Sequence, residues 1–489
     1  MADPVLAALD EALARSVDRP VQGRQSAIVM PFAGGRAADT PTPGRSLRER
    51  LPWIEIFVGV QFLWGALLFV PGAQGYRPLV RALPYVSSIA LLAWYLPAVR
   101  PGRYPAATRW LLAVLGLLAL NLLHPTSQPY AGIAQWVFQL TIAAPLFWAW
   151  KAIRSVRQAE RVLFLAFVLN CASAGLGILQ VYFPDRFMPA QFSSLGLQMN
   201  DQYVDSQTYE GRDGRIITRP PGLSDMPGGA AVAGGLTALL GLGFSLRART
   251  PVGRLATLTS VAIGFAVVYL TQVRSVLLMV ICAAGVLSAT TFRQKRLGAA
   301  AWVAAMGSAA VVASFYWASS LGGESVEQRF LTVTEQGAVQ TYQEHRGHFV
   351  AYTVGELLDE FPLGAGVGRW GMMNAYFGDA SNLKAPPIYV EIQMTGWLLD
   401  GGFPMWLLYG GAILSSLLAA FRATGSRHSD IAQLALVTLV LQVLIVGMAM
   451  AGPVFNTQLG LMFWAVGSVL HAAAGMRRIP DRLTAGDRR

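Results

Sequence analysis

The sequence predicts an all-α, polytopic integral membrane protein with about twelve transmembrane helices and two long loops on one side of the bilayer. Three observations carry that prediction. Of 489 residues, 54% are apolar and only 13% charged, with a mean hydropathy of +0.44, whereas soluble globular chains carry roughly 25% charged residues. From Trp53 onward, apolar stretches recur between short polar joints, each near the roughly 20 residues a helix needs to cross hydrocarbon. Basic residues gather in alternate joints. A soluble multidomain enzyme and a disordered chain are thereby excluded. The net charge of +11 would suggest nucleic acid in a soluble protein. In a membrane protein it marks cytoplasmic helix ends instead, so no nucleic-acid partner is expected.

Residues 1–50 form a cytoplasmic tail by this reading. Met1 to Val17 suits a short amphipathic helix, with Val5, Leu6, Leu9 and Leu13 on one side. Arg19 to Arg50 is rich in Gly, Pro, Thr and Arg and reads as disordered. The tail lacks the continuous apolar core of a secretory signal, so the first span is expected to stay uncleaved. The transmembrane domain, 51–476, has spans expected near 53–70, 83–98, 110–124, 133–150, 162–183 and 227–246, then 255–272, 275–292, 298–318, 403–421, 431–451 and 454–474. A short cytoplasmic tail, 477–489, closes the chain.

Charge placement fixes the orientation. With the N-terminus inside, the cytoplasmic joints hold Arg100, Arg103 and Arg109; Lys151, Arg154, Arg157 and Arg161; Arg247, Arg249 and Arg254; Arg293, Lys295 and Arg296; and Arg422 and Arg427. The opposite short joints hold only Arg77, Arg81 and Arg274. This bias predicts an even number of spans and both termini inside. Two joints are too long to be turns, 184–226 and 319–402, and both fall outside the cytoplasm. Long loops usually carry function. The two cysteines, Cys171 and Cys282, lie in apolar runs and read as small buried hydrophobes. No residue spacing suggests a metal site or a cofactor.

Four segments carry candidate chemistry. In VVYLTQVRSVLLMV, Arg274 separates two apolar runs; it either snorkels to headgroups or presents a fixed cation to an anionic ligand such as a lipid-linked phosphate. In EGRDGRIITRPPGLSDMPGG, Arg212, Arg215 and Arg219 precede the sixth span, and Ser224 and Asp225 are candidate helix caps. Arg219 lies nearest the membrane entry, so it is the stronger functional candidate of the three. The bland alternative is a stiff loop entering a helix.

The third segment, Arg346 to Phe361, reads as an amphipathic helix with Phe349, Tyr352, Val354, Leu357, Leu358 and Phe361 on its apolar side. Glu356, Asp359 and Glu360 then form a solvated face, and His345, Arg346 and His348 start the helix as proton-transfer or binding candidates. GAGVGRWG follows a helix and Pro362 rather than a strand, which argues against a dinucleotide loop. In the fourth segment, PPIYVEIQMTGWLLDGGFPMW, Glu391 sits amid Ile388, Tyr389, Val390, Ile392 and Met394. Such an apolar setting disfavours a charged carboxyl and suits a general base; capping an interfacial helix or pairing with an arginine is the alternative. Asp400, before two glycines, reads as a turn residue.

In this order, the four segments resemble the O-antigen ligase and Wzy-type polysaccharide polymerase superfamily. The resemblance covers roughly Arg212 to Leu418. It rests on RPPGLSDMPG before a mid-chain span, LTQVRS at the outer end of a later span, RGHF…FPLGAGVG in a long loop, and VEIQMTGWLLDGGF leading into the next span. The similar ligases carry a His shortly before the tenth span; NLKAPPIYVE has none, so the polymerase branch is favoured.

The resemblance implies a C-type glycosyltransferase-like architecture in a bacterial inner membrane, with its site facing the periplasm. It implies transfer of a glycan from undecaprenyl pyrophosphate to the non-reducing end of another lipid-linked repeat unit. Arg219 and Arg274 would hold the pyrophosphate, with Arg346, Arg215 and His348 as further binding residues. Glu391 would be the leading base and His345 the second. Trp370, Tyr376 and Tyr389 would stack on sugars or anchor the interface. The implied partners are the lipid-linked oligosaccharide, membrane lipid, and a chain-length regulator and flippase of the same pathway. A ligase using another acceptor and a flippase of lipid-linked sugars are the alternatives. A flippase is expected to carry polar groups through many spans, whereas these central spans are largely free of charge.

Overall fold

Each of the twelve apolar segments coincides with a helix in the computed structural model, which describes residues 51–70, 72–98, 103–189, 207–335 and 337–486. The tail 1–50, with its expected amphipathic helix, and the joint residue Arg100 lie outside the described residues. The helices of the first half are α1 (Trp53–Leu67), α2 (Arg77–Tyr95), α3 (Thr108–Asn121), α4 (Pro129–Ala152), α5 (Val156–Tyr182) and α6 (Ala230–Ser245). Those of the second half are α7 (Pro251–Thr271), α8 (Arg274–Arg293), α9 (Leu297–Glu335), α10 (Gln393–Ala423), α11 (Ser429–Met448) and α12 (Gln458–Gly486). A two-stranded hairpin, β1 (Thr208–Glu210) and β2 (Ile216–Thr218), is the only sheet among the described residues.

Length and composition make eight of these helices able to cross a membrane: α4, α5 and α7 to α12. Helices α1, α3 and α6 are apolar but shorter. Local chemistry starts several of them. Pro129 and Pro251 sit at first-turn positions where no N–H is needed. The Ser155 and Thr250 hydroxyls accept from the N–H groups of Gln158 and Gly253, each at 3.1 Å. Helix α6 is buried on nearly every face and packs against α5, α7, α8 and α11. Its run of Gly, Ala and Leu has no polar stripe to expose, which suits a central position. Helix α4 is the second hub, packed on α2, α3 and α12.

The structure departs from the sequence expectations in five places. Helix α9 does not end near residue 318 but runs to Glu335, bending at Gly323 (φ 56°, ψ −145°). Helix α10 starts at Gln393, ten residues early, and bends at Gly401 and Gly402. Asp400 therefore precedes the bend, yet its side chain is fully buried and accepts from Trp370 Nε1 at 2.9 Å and Gln135 Nε2 at 3.2 Å. Over 346–361 the expected apolar face breaks up. Two π-helical turns, Gln343–Gly347 and Thr353–Leu357, each shift the register, so Thr353 and Leu357 are buried while Tyr352 and Val354 are exposed. Cys282 is exposed rather than buried, on a flank of α8 that no protein covers.

The bend in α10 and the glycine-rich loop after Pro362 are one device. Gly364, Gly366 and Gly368 all take positive φ, at 105°, 90° and 84°. The loop threads between α10 and the start of α4: Ala365 N donates to Leu399 O at 2.8 Å, Thr126 Oγ1 donates to Ala365 O at 2.6 Å, and Gln128 N donates to Val367 O at 3.1 Å. A Cβ on Gly366 or Gly368 would lie 2.7 or 2.4 Å from the backbone of Ser127 or Gly132. Glycine is required because two backbones meet. The loop clamps the bundle end and holds no phosphate-cradling geometry of the strand-to-helix kind.

Candidate functional site

Arg219 is placed by a loop that is closed on itself and tied to α5. Its backbone N–H donates to Gln207 O at 2.9 Å, and its carbonyl accepts from Gly228 N at 3.1 Å. Inside that closure, Gly222 N donates to Gln180 Oε1 at 2.8 Å and Gln180 Nε2 donates back to Gly222 O at 3.2 Å. Leu223 N donates to Ser173 Oγ at 3.0 Å. Pro220 and Pro221 have no N–H to satisfy, so the segment can pack against the helix without orphaned donors. Ser224 and Asp225 do not cap α6, whose N-cap is Gly229 without a side-chain bond. Ser224 folds onto Met226, and Asp225 turns to α2, where Arg77 and Arg81 pair with it.

The side chain of Arg219 is half-buried, and its Nε is buried without a hydrogen-bond partner. Burial holds its pKa below the ordinary value; neighbouring Tyr209 opposes that shift and the Arg274 cation adds to it. Arg274 itself opens α8, just after Gln272 ends α7 in the left-handed conformation (φ 56°). Its Nη1 donates to Thr332 Oγ1 at 2.9 Å, and its Nη2 meets His345 Nε2 at 3.0 Å. His345 Nδ1 lies 2.9 Å from the carbonyl of Thr341. A guanidinium only donates and a carbonyl only accepts, so Nδ1 carries the ring proton and Nε2 is the acceptor.

A third arginine joins them. Arg329 lies on the part of α9 beyond Gly323 and donates from Nε to Gln272 O at 3.3 Å. The charges of both Arg219 and Arg274 act on it. Arg219, Arg274 and Arg329 thus come from three separate segments into mutual electrostatic range. Among the described residues none of the three forms an ion pair, although the charge of Glu344 reaches Arg274. Three cations held together without a paired carboxylate repel one another, and an anion between them relieves that repulsion.

The other candidates lie elsewhere. Arg346 forms an ion pair with Glu391, which also accepts from the Tyr389 hydroxyl. Burial holds the Arg346 pKa below its ordinary value, against the opposing effect of Tyr389 and Tyr342. Glu391 is thus engaged by a guanidinium rather than set alone among apolar groups. Arg215 pairs with Asp213, two residues away in the exposed hairpin turn. His348 is exposed beside Phe349. Trp370 is only 2% exposed and hydrogen-bonded to Asp400, so it presents no face to a sugar.

Arg329 is not among the residues the sequence singles out, because GGESVEQRFLTV reads as part of the 319–402 loop. A signal was present: Val326 and Phe330, four residues apart, are both buried, the spacing of a continuing helix. The fold defines a multi-pass membrane protein with a cationic cluster at helix ends. Comparison with protein-family models and with curated proteins found no match.

Proposed function

We propose that this chain is a glycosyltransferase that uses a lipid-pyrophosphate-linked donor and polymerises polysaccharide repeat units at the outer face of a bacterial inner membrane. The observation that carries the reading is the convergence of Arg219, Arg274 and Arg329 beside His345, with no ion pair to any of the three among the described residues. Three guanidiniums suit a pyrophosphate, whose charge grows as it leaves. The twelve helices are read as twelve spans, with both termini inside and the cluster facing the periplasm.

The acceptor hydroxyl oxygen attacks the anomeric carbon of the donor sugar. The bond from that carbon to the pyrophosphate oxygen breaks, and its electron pair leaves with the lipid pyrophosphate. The hydroxyl proton passes to His345 Nε2, whose partner nitrogen is fixed by Thr341 O. Pyrophosphate oxygens draw Arg274 off His345 and so free that nitrogen. The contact of His345 with Arg274 favours it as base over Glu391, which Arg346 and Tyr389 already engage.

Purified protein given lipid-linked repeat units should produce longer lipid-linked chains. Transfer to a different acceptor would indicate a ligase, and unaltered glycan crossing the bilayer would indicate a flippase. His345→Gln should lower the rate by roughly 10²–10⁴, the usual contribution of a positioned base. Glu391→Gln should leave a measurable rate, with its loss appearing mainly in KM through Arg346. The opposite ranking of the two variants would return the base role to Glu391.

A further inference from the structure

We propose that Asp225 is a positioning residue that sets Arg219 in the anion site through an ion-pair clamp on α2. The inference rests on the reading of the arginine cluster as a pyrophosphate site. The Asp225 side chain is 7% exposed and takes both Arg77 and Arg81 on one carboxylate oxygen. Arg77 Nη2 also donates to the Asp225 carbonyl at 3.0 Å. The two arginines are four residues apart on α2 and so share a face. Arg81 reaches further, donating from Nη1 to the Tyr376 hydroxyl at 3.3 Å.

The geometry connects this clamp to Arg219. Gly228 N bonds to Arg219 O, which makes the segment between them a closed loop with Asp225 on it. Gln180 and Ser173 hold that loop from α5 at Gly222 and Leu223, and Arg77 and Arg81 hold it from α2. Removing the Asp225 carboxylate leaves two guanidiniums facing each other and frees one side of the loop. The other side stays tied to α5, so the fold persists while the Arg219 end gains play. This also accounts for two of the three arginines in the short outer joints. They serve the loop.

The test is pyrophosphate binding by the purified full chain in detergent, followed by calorimetry with inorganic pyrophosphate as the probe. Asp225→Asn should weaken binding about tenfold, the scale of coupling inside one ion-pair network, and Asp225→Glu should recover most of it. In an Arg219→Ala background, Asp225→Asn should cause no further loss, because the residue acts through Arg219. Equal weakening in both backgrounds, or wild-type affinity in Asp225→Asn, overturns the positioning role. If Asp225→Asn does not accumulate, the paired exchange Arg81→Asp with Asp225→Arg decides: restored affinity supports the clamp, and restored accumulation with tenfold weaker binding overturns it. Absence of pyrophosphate binding by the wild-type chain would sink the anion-site reading itself and the clamp with it.

Discussion

Arg274→Ala is expected to stop growth of lipid-linked glycan chains, with a fall of about 10²–10³ in kcat, the usual loss when one preorganised donor to developing charge is removed. The residue bridges two elements at once, with Thr332 of α9 on one side and His345 on the other. Its removal takes a cation from the leaving group, while His345 keeps its bond to Thr341 O. Arg274→Lys should recover little, because a single ammonium cannot reproduce a fork that meets two partners. Accumulation and thermal midpoint should not fall, since deleting one of three neighbouring cations relieves repulsion. The check is a single-turnover assay on a synthetic lipid-linked repeat unit. A near-wild-type rate in Arg274→Ala would remove the cluster from the mechanism.

Gly402→Ala is expected to cause the largest loss of stability. Gly402 has φ 63° and ψ −157°, a region open essentially to glycine alone. A Cβ there would lie 2.1 Å from Pro362 O, the atom that accepts from Phe403 N at 2.9 Å. Nothing at that contact is a flexible side-chain tip, so backbone must part from backbone. Strain and overpacking together cost about 2–5 kcal/mol. Thermal unfolding in detergent should show a lowered midpoint and reduced accumulation. Gly410→Ala is the control on the same helix, because a Cβ there meets nothing within 4 Å. If the two variants melt alike, the clamp between Pro362 and the α10 bend is not what holds this end of the bundle.

The helical frame was legible because apolar runs of membrane length announce themselves without any tertiary information. Helix ends were less so. The apolar run of α9 ends near residue 318, yet the chain only bends at Gly323 and resumes a helix, since buried Val326 and Phe330 reward continuation. Asp225 looked like a cap by position, but the guanidiniums of Arg77 and Arg81 outbid a backbone N–H for its carboxylate. Those partners lie 148 and 144 residues away, and no local pattern encodes them. Arg274 was legible because it stands alone between two apolar runs, and Arg219 because it lies nearest the membrane entry of three arginines. Arg329 was not, because its neighbours Glu327 and Gln328 made it look like one more charge on a solvated loop.

The glycine loop has a consequence for the order in which the molecule is made. Thr126 and Ser127, at the entry to α4, bond to Ala365 and Val367, 239 and 240 residues later in the chain. During synthesis the early helices must therefore wait with this end unfastened while seven more helices, α4 to α10, emerge. The final latch forms only once α10 has been delivered, because Leu399 and Gly401 supply its other wall. A chain arrested before residue 400 would contain all three clustered arginines and still leave the entry to α4 open.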